Sequence, residues 1–263
     1  MKAAAMLTAV LLLGMDVGSV SFAGEEVGLN QPSPQPGADA GESCRRAIEH
    51  SAYLNGGELF EAAEACAREE AADDAVFLML TGQVRALTDM LLLEPVSESE
   101  LSIVGELYAA LYYKYGGSGP DELVRDTVRA TAMFERLGTW RPDFSQRYSP
   151  GWRFQRPVDG DLYQSMADHN MEVRLAKLER YRNLLQDESY YKVHRERQNL
   201  LARNNNRIVA GTDDADRIAE LNELAETISG SIPVVPGPRP PRELLPYMAP
   251  NARSPLEELD TGD

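Results

Sequence analysis

A helical spacing of apolar residues runs through most of this chain, and it restricts the possible folds more than any other feature. Between residues 43 and 229, apolar side chains recur every three or four positions, which places them on one face of an α-helix. No segment alternates apolar and polar residues as a half-buried strand does. The sequence therefore predicts an all-α fold, a stack or bundle of about seven helices that bury their apolar faces against one another.

The predicted helices are bounded by residues that start or stop helices. The longest apolar segment, residues 74–93, is followed by Pro95 and is expected at the centre of the core. The remaining helical segments are predicted at residues 43–53, 58–71, 101–115, 120–137, 161–186, 190–203 and 213–229, the 190–203 segment continuing the one before it.

The first 23 residues have the pattern of a secretory signal peptide. Lys2 precedes an apolar run over residues 3–15, and small residues follow up to Ser21-Phe22-Ala23. The alternative is an uncleaved membrane anchor, but the run is shorter than the roughly 20 residues that a spanning helix needs. We expect cleavage after Ala23 and a periplasmic or secreted protein that does not span the membrane.

Two cysteines, Cys44 and Cys66, are the only ones in the sequence. In an oxidising compartment such a pair predicts a disulfide, and two thiols are too few for a structural zinc site. They lie on neighbouring predicted helices that are separated at Gly56-Gly57, so the bridge would join the two arms of one helical hairpin. A redox-active pair is the alternative, but its cysteines would be closer in sequence.

Proline-rich segments flank the helical region. Residues 24–41 are rich in proline, glycine and acidic side chains and predict a flexible leader. Residues 42–230 form the predicted helical domain. Residues 231–263 contain eight prolines and predict an extended tail, of which the pairs Val234-Val235 and Leu244-Leu245 could dock on the body.

Charge is distributed in blocks along an acidic chain of net charge −16. Residues 24–135 carry 7 basic and 21 acidic side chains, residues 136–207 carry 14 and 9, and residues 208–263 carry 4 and 11. The blocks fit either a solvated surface whose parts attract one another or a surface that meets a charged partner. The overall charge disfavours nucleic acid as that partner.

Most catalytic signatures are absent from the sequence, including HExxH, CxxC, the P-loop and the dinucleotide fingerprint. The most site-like group is Asp168, His169 and Glu172, because residues three apart share a helix face and can act as an acid–base pair. His169 also shares its face with apolar residues, which favours a packed core histidine. A hydrolase that uses these three residues is therefore the alternative function, and we expect no metal or cofactor.

A long irregular stretch, residues 138–160, holds both tryptophans of the chain among several arginines. A loop of this length inside a helical domain is uncommon and is often functional. Trp, Tyr and Arg are also the residues that dominate protein interfaces, although the tryptophans could instead fill the core while the arginines reach solvent. The predicted partner-binding residues are Trp140, Arg141, Arg147, Tyr148, Trp152, Arg153 and Phe154.

The segments Leu59 to Ala67 and Ala75 to Leu87 resemble the small-residue-rich helix pairs of tetratricopeptide and Sel1-like repeats. The resemblance covers about one repeat, residues 42–92, and implies a protein-binding scaffold. In general character the chain is also similar to periplasmic immunity proteins, which neutralise toxins of other bacteria.

These observations favour an exported, non-catalytic module that scaffolds or neutralises another envelope or secreted protein, as an adaptor or an immunity-type inhibitor. Two other functions stay open at this point. One is the hydrolase, and the other is a structural spacer attached through the proline-rich ends.

Overall fold

The structure is a computed structural model that describes residues 40–97, 99–100, 102, 121–145, 148–154, 158–204, 212–234 and 236–248. Across these residues it contains nine α-helices and no strand, which confirms the predicted all-α class. The signal peptide, most of the leader, most of the helix predicted at 101–115, Arg147 and the last residues of the tail lie outside the described residues. In chain order the helices are α1 (Ala40–Glu49), α2 (Gly56–Arg68), α3 (Ala72–Leu92), α4 (Asp121–Arg125), α5 (Thr127–Thr139), α6 (Gly160–Gln186), α7 (Glu188–Arg203), α8 (Asp213–Gly230) and α9 (Leu245–Met248).

The chain divides into two compact units, and the boundary falls between Gln186 and Asp187. Residues 187–232 belong to a unit built by α7 and α8. The larger unit contains the other seven described helices. The predicted helical domain, residues 42–230, spans parts of both units.

Helix α3 is the central helix of the larger unit, as its apolar sequence predicts. Its buried residues run from Val76 to Leu92 and cover most sides of the helix. By length and a mean hydropathy of 1.4 it could cross a membrane, yet 78% of that apolar window is buried inside the protein. A helix that is apolar all round and enclosed by its neighbours is typical of a folded core.

The predicted disulfide between Cys44 and Cys66 is present and joins α1 to α2, with 4.9 Å between the two Cα atoms. The predicted break at Gly56-Gly57 is displaced, because these two glycines form the first turn of α2. Asn55 and Glu58 cap this helix reciprocally. Gly56 is required there because a Cβ atom would come within 2.9 Å of Ala86 Cβ on α3.

The segment predicted as one helix at 120–137 is two helices, α4 and α5, separated at Asp126. The Asp126 carboxylate accepts hydrogen bonds from the backbone of Val128 and Arg129, so it starts a new helix where the sequence pattern suggested continuity.

The proline-rich tail departs from the extended conformation predicted for it. Residues 242–248 form a 3₁₀ helix, Arg242–Leu244, followed by α9. Leu244 is fully buried in a cluster with Leu93 and Tyr163. Burial of this leucine gives the segment the apolar contacts that the proline content alone does not predict.

The smaller unit is a helical hairpin with its own apolar seam. Val193 and Leu200 of α7 pack with Ile218 and Leu221 of α8. At the side of this seam, Arg217 pairs with Glu196, and Arg197 donates a hydrogen bond to Asn222. The two helices occupy residues close to those predicted for them.

Candidate functional site

The predicted partner-binding residues lie on residues 140–154, which we call the loop, and backbone hydrogen bonds fasten this loop at both ends. The amide of Asp143 donates to the carbonyl of Ala52, at 2.7 Å. Near the other end, the amide of Val96 donates to the carbonyl of Arg153, and Pro95 forms an isolated bridge with Phe154. The loop is therefore attached to the turn before α2 and to the segment after α3.

Both tryptophans are buried beneath the loop. Trp140 is 8% exposed and Trp152 is 5% exposed. The indole Nε1 of Trp152 donates to the carbonyl of Leu93, at 2.8 Å, which satisfies one of the carbonyls left free where α3 ends. Phe154 is half-buried and packs on the cluster that contains Leu93. These aromatic residues act as anchors of the loop, and their rings are turned away from solvent.

A buried polar cluster joins the loop to α3 and α6. It consists of Arg85 and Asp89 on α3, Tyr148 on the loop and Tyr163 on α6, and we call it the Asp89 cluster. Tyr148 donates its hydroxyl hydrogen to Oδ2 of Asp89, and Tyr163 donates to Oδ1, each at 2.5 Å. Both carboxyl oxygens of one aspartate are thus bound by phenols from two different elements.

Arg85 is the other charged member of the cluster and has no exposed surface. Its guanidinium carbon lies 3.8 Å from the centre of the Tyr148 ring and 5.2 Å from that of Tyr163. Nη2 donates to the carbonyl of Asp143, at 2.7 Å, while Nε and Nη1 have no hydrogen-bond partner among the described residues. Aromatic faces and one backbone carbonyl therefore take the place of water around this cation.

Aromatic stacking and a second polar contact complete the attachment. Phe144 of the loop stacks on Tyr163, with ring centroids 4.1 Å apart and an interplanar angle of 4°. One turn along α6, the amide nitrogen of Asn170 donates to the hydroxyl of Thr88 on α3. The loop thus rests on a junction of α3 and α6 that is itself fixed by buried hydrogen bonds.

The environment changes the acidity of every group in the Asp89 cluster. Burial raises the pKa of Asp89 from 3.8 to about 6, although Arg85 and the two phenols oppose the shift. Burial and the neighbouring Asp89 raise the pKa of both tyrosines, so they stay neutral hydrogen-bond donors. Burial lowers the pKa of Arg85, but Tyr148, Tyr163 and Asp89 outweigh it and keep the pKa above its ordinary value.

The loop's arginines, in contrast to its aromatic residues, lie at the surface. Arg153 has 80% of its side chain exposed and binds Glu100 at 2.8 Å. Arg141 is about half exposed and binds Asp168, also at 2.8 Å. Two exposed apolar side chains flank the loop where it is fastened: Tyr53, 62% exposed beside Ala52, and Val96, 40% exposed beside Arg153. We call Tyr53, Val96, Arg141 and Arg153 the outer set.

The three residues of the alternative hydrolase site have different surroundings. Asp168 binds Arg141 and accepts a hydrogen bond from Gln164. His169 is 3% exposed, and its Nδ1 is buried without a hydrogen-bond partner. Burial lowers the pKa of His169, while the charge of Glu172 opposes this. An acid–base histidine is normally oriented by a group bound to its second nitrogen, and Asp168 does not take that place.

Metal ligands are not grouped in the described part of the chain, where no cluster of three His, Cys, Asp or Glu side chains could hold an ion.

Three members of the Asp89 cluster, Arg85, Asp89 and Tyr163, were missed by the sequence analysis. A signal for two of them is present in the sequence. Arg85 and Asp89 stand four residues apart inside an otherwise apolar helix, a spacing that places both on one face. Charged residues are almost never fully buried unless they are paired, so this pair marks a buried polar site.

No protein-family model, curated protein or solved structure matches the chain. The likeness of residues 42–92 to tetratricopeptide and Sel1-like repeats stays a prediction.

Proposed function

We propose that this protein is an exported, non-catalytic binding module that scaffolds or neutralises another envelope or secreted protein, and that it contacts this partner through the outer set. The observation that supports the proposal most is the way the loop is held. Its aromatic residues are buried and bound to α3, so its exposed arginines are presented on a fixed backbone. A surface that is ordered before binding loses less conformational entropy in the complex.

The chemistry of the outer set suits a protein partner. Tyrosine and arginine are the residues that most often dominate binding energy at protein interfaces. Arg141 and Arg153 belong to the basic block of an otherwise acidic chain, and each is held by an acidic side chain that fixes its position. We expect the partner to present carboxylates that replace or share these contacts.

This proposal reassigns the predicted contact residues. Trp140, Tyr148, Trp152 and Phe154 position the loop, whereas Arg141 and Arg153 are available to a partner; Arg147 lies outside the described residues. Alanine substitutions at the tryptophans would therefore disturb folding and binding together. A test of binding has to use the exposed residues.

The test is capture of a partner by matched variants of the chain lacking residues 1–23. The immobilised protein is incubated with envelope extract from its own source under non-reducing conditions, and bound proteins are quantified by mass spectrometry. We expect one protein at near-equal stoichiometry, retained by the Val128→Ala control, which changes a side chain 79% exposed on α5. The double variant Tyr53→Ala, Arg153→Ala should lose it. Equal capture by both variants, or no stoichiometric protein, would overturn the proposal.

A further inference from the structure

The carboxyl group of Asp89 connects the loop to the core through a group that can change its charge. It has no solvent exposure, and its two oxygens accept from Tyr148 of the loop and Tyr163 of α6. The charged and titratable groups that face it are Arg85 on its own helix, Tyr148 on the loop and Tyr163 on α6. Lifting Tyr148 away would remove one hydrogen bond and let water reach the carboxyl group.

The cluster can accommodate a neutral Asp89 because Arg85 does not depend on it alone. The Arg85 cation lies against two tyrosine faces and donates to the Asp143 carbonyl. Cation–π contacts of this kind favour a desolvated guanidinium. Protonation of Asp89 therefore removes the energetic cost of a buried carboxylate and leaves Arg85 with other partners.

We propose that Asp89 is a proton-operated latch for the loop, closed most firmly when its carboxyl group is protonated and loosened when that group is ionised. This inference names a regulation of the outer set and in that respect rests on the proposed function. It applies to the opening of the loop whether or not a partner is present.

The direction of the effect follows from the two states of the loop. In the closed state burial raises the pKa of Asp89 from 3.8 to about 6, and in an open, hydrated state it returns toward 3.8. Opening therefore releases a proton between about pH 4 and pH 6. Raising the pH through this range favours opening, and above it the equilibrium levels off. The two pKa values predict an opening constant roughly 50-fold larger at pH 7 than at pH 4.

Amide hydrogen exchange measures this opening directly. Protection factors, which remove the intrinsic pH dependence of exchange, are compared from pH 4 to pH 7 for the amides of Asp143 and Tyr148, both of which donate to backbone carbonyls. We expect a fall of roughly 50-fold in wild type and constant protection in the middle of α5. Asp89→Asn should abolish the fall, whereas Asp73→Asn, at a half-exposed position on the same helix, should keep it.

Constant protection of the loop in wild type, or the same fall in Asp89→Asn, would overturn the latch. Carbon-13 NMR titration of the Asp89 carboxyl in wild type gives a second test that needs no variant. A midpoint near pH 6 supports the proposal, and one near pH 4 contradicts it. Neither readout involves a partner, so failure of the capture experiment would leave this inference intact, and failure here would leave the binding proposal intact.

Discussion

The α1–α2 hairpin and the loop both lie against α3, but they are held there by different chemistry. A disulfide clips α1 to α2, and α2 approaches α3 so closely that Gly56 meets Ala86 without room for a side chain between them. The loop is held by buried hydrogen bonds to Asp89 and to the Leu93 carbonyl. The first attachment depends on redox state and close packing, and the second on the protonation of one carboxyl group.

This difference separates a static region from an adjustable one. Close apolar packing does not change with pH between 4 and 7, because its atoms carry no titratable protons. A buried carboxyl group responds to pH by linkage, since its proton affinity differs between the closed and open states. We therefore expect reductant to affect the hairpin and leave the loop attached, and pH to affect the loop and leave the hairpin packed.

The largest expected effect comes from breaking the loop's apolar anchor. Trp152→Ala removes a ring that is 5% exposed and leaves the Leu93 carbonyl without its donor. Truncation of a buried aromatic side chain costs about 3–5 kcal/mol of unfolding free energy. Urea denaturation followed by circular dichroism measures it. Trp152→Phe, which keeps a ring, should lose less, and a loss below about 1 kcal/mol in the alanine variant would mean that the ring is not packed.

Removal of the disulfide weakens the other side of the comparison by a smaller amount. The bridge joins residues 22 apart in sequence, and a loop of this size is worth about 3 kcal/mol through the entropy of the unfolded chain. We expect the double variant Cys44→Ala, Cys66→Ala to lose about that much in urea denaturation. Hydrogen exchange of the loop amides should keep its pH dependence, and its loss would show that the two attachments are not independent.

The close approach of α2 and α3 predicts a third effect. In Gly56→Ala the added Cβ would lie 2.9 Å from Ala86 Cβ, so the helices have to move apart. Overpacking of this kind costs about 1–3 kcal/mol. Gly138→Ala is the matched control, because its Cβ would meet its nearest neighbour at an ordinary 3.8 Å within helix α5. Thermal unfolding should rank the control above the test variant, and the reverse order would contradict the helix packing described above.

The smallest expected effect is at the surface of the loop. Arg153→Ala removes an ion pair with Glu100 in which the arginine is 80% exposed. Exposed ion pairs contribute little to stability because solvent screens them. We expect an unchanged thermal midpoint, measured by scanning fluorimetry. A clear loss of stability would show that Arg153 supports the fold, and the capture experiment would then need a different variant.

The helices were predictable from sequence because their signals are local. Apolar spacing placed α3, α6, α7 and α8, and the acidic first turn of α8 marked its start. The interruption at Asp126 was missed because a capping aspartate inside a periodic segment looks like an ordinary surface residue until its hydrogen bonds are known. The disulfide was predictable because only one pairing of two cysteines exists.

The candidate site was predictable in composition but not in orientation. The loop was identified by its tryptophans and arginines, yet composition does not determine which of them face the core. The Asp89 cluster depends on tertiary contacts that bring Tyr148 and Tyr163 to one side of α3 from positions 59 and 74 residues away. The spacing of Arg85 and Asp89 was visible, but their partners were not.

Tryptophan fluorescence tests the central claim, that the aromatic residues of the loop are buried anchors. The chain has two tryptophans, and both lie on the loop, so the intrinsic emission reports on this region alone. The structure predicts blue-shifted emission and weak quenching by acrylamide, because Trp140 and Trp152 are 8% and 5% exposed. The single variants Trp140→Phe and Trp152→Phe assign the signal to each position. Red-shifted emission with strong quenching in the folded protein would contradict the account.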